Sequence, residues 1–378
     1  MKRLAIVLSH PIQYYSPLFK FLAKSIHLKV FYAFNPNADE QGEQGFQKSF
    51  KWDINLLDGY DYEFLNNVSE YPGTSRYKGC DTPAISSQLD VYKPTHILIF
   101  GWHLKTYHQA LAYAKRNKIK VGVRGDSQAN PSQSIIKKLI KAIYYPFFLN
   151  KFDYFFSVGS RNKQYLKSFG IQDERVLFSP HAVDQAFWEN KSSFDKGNKS
   201  EIVFLWVAKF IDKKRPLDAI NAYLKFKQKY DGKVSLRMVG SGPLLKASKR
   251  IASSEPSIQF LGFKNQKELR AEYWSSSCLI LSSDYGETWG LVVNEAFSSL
   301  QPAIVSSAVG CSEDLINQNT GAIYKFGSIE DLSEKLNEMS SRLLNPKKLQ
   351  AIEEAIKEKN VKYSFERNLK AFNRFLQL

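Results

Sequence analysis

The alternation of short apolar runs with longer helical patterns is the feature that most constrains the fold of this chain. The runs are hydrophobic at nearly every position, as in LAIVLS and IVFLWV. Strands of this kind are covered on both faces, which is typical of parallel sheets, and helical patterns between them indicate βαβ units. The sequence therefore predicts an α/β protein. The runs lie at 4–9, 28–34, 96–100, 120–125, 154–159, 175–180, 202–207, 234–239, 258–263, 278–283 and 302–307.

A polar stretch divides these runs into two sets. NKSSFDKGNKS at 190–200 has no apolar periodicity and is typical of a linker. The 378 residues are enough for two domains. We expect an N-terminal domain at 1–190, a C-terminal domain at 199–360 and a final segment at 361–378. Because ligands of open α/β sheets bind beyond the carboxyl ends of strands, we expect a site in a cleft between two doubly wound domains.

The charge balance favours anionic partners. Lys and Arg number 53 and Asp and Glu number 37, a net charge of +16, which suits nucleotides, nucleic acid or an acidic membrane. The lysines are scattered and no DNA- or RNA-binding motif is present, so nucleic acid is not the expected partner. The three cysteines have no metal-site or disulfide spacing, and no apolar stretch approaches about 20 residues. We expect a cytoplasmic protein, with attachment to the inner face of the cell membrane left open.

Two glutamates flank the expected start of a helix in SSDYGETWGLVVNEAF, at 282–297. Glu287 follows an apolar run, and Glu295 lies eight positions later, beyond a helix start near Leu291. A helix start attracts phosphate, and carboxylates beside it can accept hydrogen bonds from sugar hydroxyl groups next to a diphosphate. The alternative is that both are ordinary exposed carboxylates, as most glutamates are.

Cations and a glycine follow other runs of the second half. Lys209 and Lys214 come after IVFLWV and can neutralise a diphosphate, although a basic surface loop explains them equally well. Gly262 ends IQFLG, where a base or ribose can lie against the backbone. The turn VGSGPL lacks the third glycine of the dinucleotide fingerprint, so no NAD site is predicted.

These segments, in this order, resemble the donor-binding domain of the family-four retaining glycosyltransferases of the GT-B fold. The resemblance runs from FLWVAKFIDKKRPLDAINAY through MVGSGPLL, IQFLGF and the two-glutamate stretch to GAIYKFG, and covers 200–327. The first half is similar more loosely, through FSVGSRNKQYLKSFGI and RVLFSPHAVDQAFW. The resemblance implies two Rossmann-like domains facing across a cleft, with the C-terminal helix crossing back to the first domain.

The resemblance also implies roles for single residues. Glu287 would contact the hydroxyl groups of the donor sugar, and Glu295 those of the ribose. Lys209, where the family usually has arginine, and Lys214 would bind the diphosphate. The backbone amides near the helix start would contact sugar or phosphate; they belong to Trp289, Gly290 and Leu291. The implied catalytic set is Glu287, Lys214 and His103.

The first domain would supply the acceptor side. His103 matches a histidine near the donor sugar, although a plain helix residue is an equal alternative. The loop after the first strand, SHPIQYYSP, has no glycine, so His10 would take over some of its contacts. Arg124 and Asp126 follow a strand and either face the cleft or form an internal ion pair.

The implied activity is the transfer of a hexose from a UDP- or GDP-sugar to a glycan or lipid-linked acceptor, with retention, in cell-surface polysaccharide or lipopolysaccharide assembly. No cofactor and no metal are expected, since the sequence has no His/Cys cluster and no Asp-x-Asp after a suitable strand. Two alternatives remain. One is a nucleotide-sugar epimerase of the same fold, and the other is a basic nucleic-acid-binding protein.

The segment 134–152, SIIKKLIKAIYYPFFLNKF, is basic and amphipathic. We predict a helix that ends at Pro146, either lying on an anionic membrane or packed in the core with its lysines in solvent. The apolar arc of this helix consists of Ile135, Ile136, Leu139, Ile140 and Ile143, and the opposite arc of Lys137, Lys138 and Lys141.

Overall fold

The computed structural model describes residues 2–36, 52–189 and 201–378. These residues form two compact units. The first comprises 2–36, 54–181 and 364–378, and the second comprises 52–53, 182–189 and 201–363. The linker predicted at 190–200 lies outside the described residues.

The first unit contains a seven-stranded parallel sheet. Its strands are β1 (Leu4–Leu8), β2 (Leu28–Tyr32), β3 (Asp61–Phe64), β4 (His96–Phe100), β5 (Lys120–Gly125), β6 (Tyr154–Ser157) and β7 (Val176–Phe178). The sheet order is β3-β2-β1-β4-β5-β6-β7, so the direction of winding reverses between β1 and β4. Its helices are α1 (Ser16–Ala23), α2 (Ile85–Tyr92), α3 (Lys105–Arg116), α4 (Ile135–Leu149) and α5 (Ser160–Lys167).

The second unit contains a six-stranded parallel sheet. Its strands are β8 (Ile202–Val207), β9 (Val234–Val239), β10 (Ile258–Gly262), β11 (Cys278–Leu281), β12 (Ala303–Ser306) and β13 (Gly321–Tyr324), in the order β10-β9-β8-β11-β12-β13. Its helices are α6 (Gln185–Trp188), α7 (Pro216–Lys227), α8 (Leu245–Ile251), α9 (Gln266–Ser275), α10 (Leu291–Ser298), α11 (Ser312–Leu315), α12 (Ile329–Leu343) and α13 (Pro346–Lys362). Here the winding reverses between β8 and β11.

The predicted α/β class with parallel sheets is confirmed. All five residues of β1 are buried, as are all four of β11, because both faces of a parallel sheet are covered. Two strands that the apolar runs did not predict are β3 and β13. Each lies at an edge of its sheet, and β3, with the sequence DYEF, is partly exposed along its length. An edge strand covers less apolar surface, so its sequence does not need a continuous hydrophobic run.

The last helix, α14 (Phe365–Gln377), belongs to the first unit. The ring of Phe375 packs edge-on against Phe156 and His96, with centroid distances of 5.3 and 5.0 Å. The side-chain amide of Asn368 donates to the Pro180 carbonyl at 3.1 Å, and Ser179 Oγ donates to Asn368 Oδ1 at 2.6 Å. The helix α14 therefore completes the hydrophobic core of the first unit.

The helix α4 is longer than predicted, and its apolar arc is exposed. It continues through Pro146 to Leu149, because Phe148 and Leu149 are buried and hold the last turn in place even though proline contributes no N–H. Its apolar arc does not face the core: the side chain of Ile135 is 74% exposed and that of Ile143 is 70% exposed. The core-packed alternative is therefore wrong for the first turns of this helix.

Candidate functional site

The loops after β8 and β11 meet at the point where the winding of the second sheet reverses. In open α/β sheets the crevice for ligands lies there, because neighbouring connections leave toward opposite faces. The first loop carries Lys209 and Lys214, and the second carries Glu287. The structure brings the side chains of Lys214 and Glu287 into contact.

Lys214 and Glu287 form an ion pair. Lys214 ends a single 3-10 turn at Asp212–Lys214, and its Nζ donates to a carboxylate oxygen of Glu287. The side chains are only 19% and 13% exposed. Burial by itself would raise the pKa of Glu287, but the charges of Lys214 and Lys213 outweigh it and lower that pKa. Glu287 is therefore ionised at neutral pH and can accept hydrogen bonds from hydroxyl groups.

Lys209 lies in a loop whose backbone is held by a glycine turn. Phe210 donates its N–H to the Ser241 carbonyl at 2.9 Å. A Cβ on Gly240, which has φ of +137°, would lie 1.9 Å from the carbonyl oxygen of Ala208, so this turn requires glycine. Burial, and then the charges of the other two lysines of this loop, lower the pKa of Lys209. Three ammonium groups held in one loop in this way form a site for an anion.

The loop of Glu287 is clamped from the other side by a second glycine. Gly310 donates its N–H to the Glu287 carbonyl at 2.9 Å, and Cys311 donates to the Trp289 carbonyl at 3.0 Å. A Cβ on Gly310 would lie 1.8 Å from the carbonyl oxygen of Thr288. The backbone at Gly310 therefore lies so close to the backbone at Thr288 that only glycine fits at position 310.

The helix α10 begins directly after this loop. Gly290, at its N-terminal cap, has φ of +101°, and a Cβ there would lie 2.6 Å from Leu281 Cδ2. The first N–H groups of a helix have no partner inside the helix, which favours an anion at this end. The Trp289 side chain is 3% exposed and donates to Asn294 Oδ1 at 2.8 Å, so only its backbone is placed to contact a ligand.

Glu295 is held by a tyrosine that the sequence did not reveal. The hydroxyl group of Tyr273, on α9, donates to Glu295 Oε2 at 2.7 Å. Burial raises the pKa of Glu295 to about 7, and the hydrogen bond from Tyr273 opposes that rise. Asn265 and Glu268 fix the start of α9 as a capping box, and Tyr273 is fully buried. No motif marks Tyr273, because its sequence neighbours are those of any amphipathic helix.

Gly262 ends β10 at an open position. Its φ is +72°, and a Cβ built on it would meet nothing within 4 Å. Its carbonyl accepts from the N–H of Gly240 at 2.8 Å, so the strand end is fixed although the space beside it is empty of side chains. This arrangement leaves room for a flat group against the backbone.

Two candidates of the first unit, His10 and His103, follow β1 and β4, which flank the reversal point of that sheet. His10 Nδ1 is 2.9 Å from Ser9 Oγ, and burial lowers the pKa of His10 to about 4, so this histidine is neutral at pH 7. His103 is exposed, and its Nε2 lies 3.0 Å from the carbonyl oxygen of Thr74.

Arg124 lies within β5 and is 2% exposed. Its guanidinium group donates to the Ser179 carbonyl at 2.5 Å and to the Pro180 carbonyl at 3.1 Å. These bonds tie β5 to the residues after β7. Asp126 Oδ2 lies 4.0 Å from Nε2 of His181. A contact of Arg124 or Asp126 with an acceptor remains a prediction.

The residues that the structure describes contain neither a metal-binding cluster nor a membrane-spanning helix. No group of three or more His, Cys, Asp or Glu side chains in 2–36, 52–189 and 201–378 could hold a metal ion. In the same ranges, no helix has both the length and the apolar character that crossing a membrane requires.

Comparison with solved structures identifies the fold. A glycosyltransferase from Rickettsia africae ESF-5 superposes with a TM-score of 0.75 at 15% identity, covering 100% of this chain and 98% of that chain. Alr3699/HepE from Anabaena, solved in complex with UDP, gives 0.74 at 13% identity and 100% coverage of both chains. The lipopolysaccharide outer core galactosyltransferase WaaB gives 0.68 at 16% identity, covering 100% and 99%. The chain has the GT-B fold of glycosyltransferases.

A family model matches most of the second unit. Residues 188–359 match the family model described as Glycosyl transferases group 1. The second unit is therefore similar to the glycosyltransferases of group 1. A comparison with curated protein sequences finds no match.

Proposed function

We propose that this chain transfers a hexose from a UDP- or GDP-sugar to a glycan or lipid-linked acceptor, with retention of configuration and without a metal ion. The observation that carries the proposal is the pairing of Lys214 with Glu287 next to the start of α10. One group there binds diphosphate and the other binds hydroxyl groups, so the pair matches the two halves of a nucleotide-sugar.

The proposed division of roles follows from charge. Lys209, Lys214 and the N-terminal end of α10 stabilise the negative charge that develops on the departing diphosphate. The ammonium group of Lys214 has three donors, so it can hold a phosphate oxygen and Glu287 together. Glu287 accepts from hydroxyl groups of the sugar, and Glu295 accepts from those of the ribose. Gly262 leaves space for the base.

In the proposed reaction the bond from the anomeric carbon to the diphosphate oxygen breaks, and a bond from that carbon to the acceptor oxygen forms on the same face. The acceptor proton passes to the departing phosphate oxygen. No carboxylate is therefore required as a covalent nucleophile. His103 is proposed as a catalytic residue near the donor sugar, and His10, Arg124 and Asp126 are proposed for the acceptor side.

The relatives support a particular donor and pathway. The Anabaena protein is solved with UDP and with UDP-glucose, which makes UDP the first nucleotide to test. WaaB is a lipopolysaccharide galactosyltransferase, and we infer a similar place for this chain in cell-surface polysaccharide assembly. The reaction would take place in the cytoplasm, beside the membrane that presents the acceptor.

The test is calorimetric titration with UDP, GDP, ADP and their glucose conjugates. We expect one nucleotide to bind, and Glu295→Ala to weaken it roughly tenfold to a hundredfold through the loss of hydrogen bonds to a charged group. The matched control is Glu338→Ala, which removes a half-exposed carboxylate of the same unit.

Two outcomes would overturn the proposal. One is no binding of any nucleoside diphosphate, together with salt-sensitive binding of DNA. The other is the appearance, by NMR, of an epimerised sugar from donor alone, which would indicate the epimerase.

A further inference from the structure

The helix α4 carries a continuous apolar ridge on its solvent side. Soluble proteins rarely leave such a set exposed together unless the surface binds something. At 100° per residue its members fall within an arc of about 140°, which is one face of the helix. The ridge consists of Ile135, Ile136, Leu139, Ile140, Ile143 and Phe147, whose side chains are 59% to 76% exposed.

The opposite face of α4 is the one that holds it to the first unit. Phe148 and Leu149 are buried in the core, and Trp102 Nε1 donates to the hydroxyl group of Tyr145 at 3.3 Å. Lys141 Nζ lies 5.8 Å from the ring centroid of Tyr145. A helix that covers a parallel sheet normally turns its apolar face to the sheet. In α4 the apolar ridge is turned away, so packing does not account for it.

The charge around the ridge indicates what covers it. From Ser127 to Phe152 the sequence contains no acidic residue and four lysines. The chain as a whole carries a net charge of +16. A helix is about 10–12 Å thick, so even lysines on its far side stay within about one Debye length of a surface touching the ridge. An anionic lipid bilayer matches both the apolar ridge and this charge.

We propose that the ridge of α4 inserts into the interfacial layer of an anionic bilayer. Phe147 is the aromatic member of the ridge and Tyr144 stands beside it, half exposed, as is common where a protein enters the headgroup region. This inference deepens the proposed function, because it names the surface on which a lipid-linked acceptor would be presented. Binding to the bilayer does not itself depend on donor or acceptor.

The experiment is flotation of the full chain with vesicles of phosphatidylcholine alone and with one third phosphatidylglycerol. We expect binding to the anionic vesicles that weakens with salt. Ile136→Ser combined with Ile143→Ser should lower the partition coefficient about a hundredfold, roughly tenfold for each apolar side chain. The matched control is Val91→Ser combined with Val361→Ser, two valines that are 79% and 76% exposed elsewhere; we expect it to bind like the wild type.

Three results would overturn the inference. The first is that the wild type does not float with anionic vesicles. The second is that the variant with Ile136→Ser and Ile143→Ser floats as well as the wild type. The third is a dimer, detected by light scattering, that the isoleucine variant disrupts and the valine control does not. A second copy of the chain would then cover the ridge. Titration of the same samples with UDP, GDP and ADP separates the two proposals. Vesicle binding without binding of any of these nucleotides would overturn the proposed function alone, and nucleotide binding without vesicle binding would overturn this inference alone.

Discussion

Replacing Glu295 by glutamine tests whether the ionised form of this buried carboxylate lowers the stability of the folded protein. Burial raises the pKa of Glu295 from its usual 4.5 to about 7. The native state therefore binds this proton more tightly than the unfolded chain does. The contribution of Glu295 to stability is fully present below about pH 4.5 and is lost as the pH rises through about 7.

The difference between the two pKa values corresponds to about 3 kcal/mol at pH 8. Because the residue keeps some accessible surface, this value is an upper limit. Glutamine has nearly the same shape, can accept the hydrogen bond from Tyr273 and has no charge to bury. We therefore expect Glu295→Gln to be more stable than the wild type at pH 8, by up to roughly 5 °C in melting temperature, and equal to it near pH 4.5.

Scanning calorimetry at pH 4.5 and pH 8 measures the effect. Glu338→Gln, at a half-exposed carboxylate, is the control. Its difference in melting temperature from the wild type should be the same at both pH values. A Glu295→Gln variant that is less stable than the wild type at pH 8 would refute the reasoning. It would mean that the carboxylate is ionised and well paired in the native state.

Three further predictions concern the same unit. Lys214→Met leaves the buried carboxylate of Glu287 without its ammonium partner, so we expect a loss of about 3 kcal/mol in urea unfolding and no UDP binding; unchanged stability would contradict the ion pair. Tyr273→Phe removes a donor to Glu295, so the pKa of that carboxyl rises further; UDP affinity should fall roughly tenfold at pH 7 and recover by pH 9, whereas a loss equal at both values would indicate a structural role alone. Gly310→Ala forces a Cβ against the Thr288 carbonyl, and we expect a loss of about 2 kcal/mol or more; a melting temperature like that of the wild type would show that the loop can move.

The strands other than β3 and β13, and the lysine and glutamate of the site, were predictable because each follows from local sequence. A buried parallel strand needs a continuous apolar run, and a site at the carboxyl end of a strand needs its polar residues in the loop that follows that run. Lys214 and Glu287 satisfy this rule on β8 and β11, which the topology makes neighbours.

The remaining features depend on tertiary contacts that no single segment records. Tyr273 is one aromatic residue on an amphipathic helix, and only the packing of α9 beside α10 brings its hydroxyl group to Glu295. The periodicity of α4 shows that one face is apolar, but it does not show which face the core holds. The continuation of that helix through Pro146 depends in the same way on the burial of Phe148.

The return of α14 to the first unit has a consequence for the order of folding during synthesis. The second unit is nearly continuous in sequence, from 182 to 363, whereas the first lacks its last helix until residues 364–378 are made. Until then, the surface that Phe372 and Phe375 cover beside Phe156 and His96 is open to water. The first unit is therefore the first to be synthesised and the last to receive its complete core, after the whole of the second unit has been made.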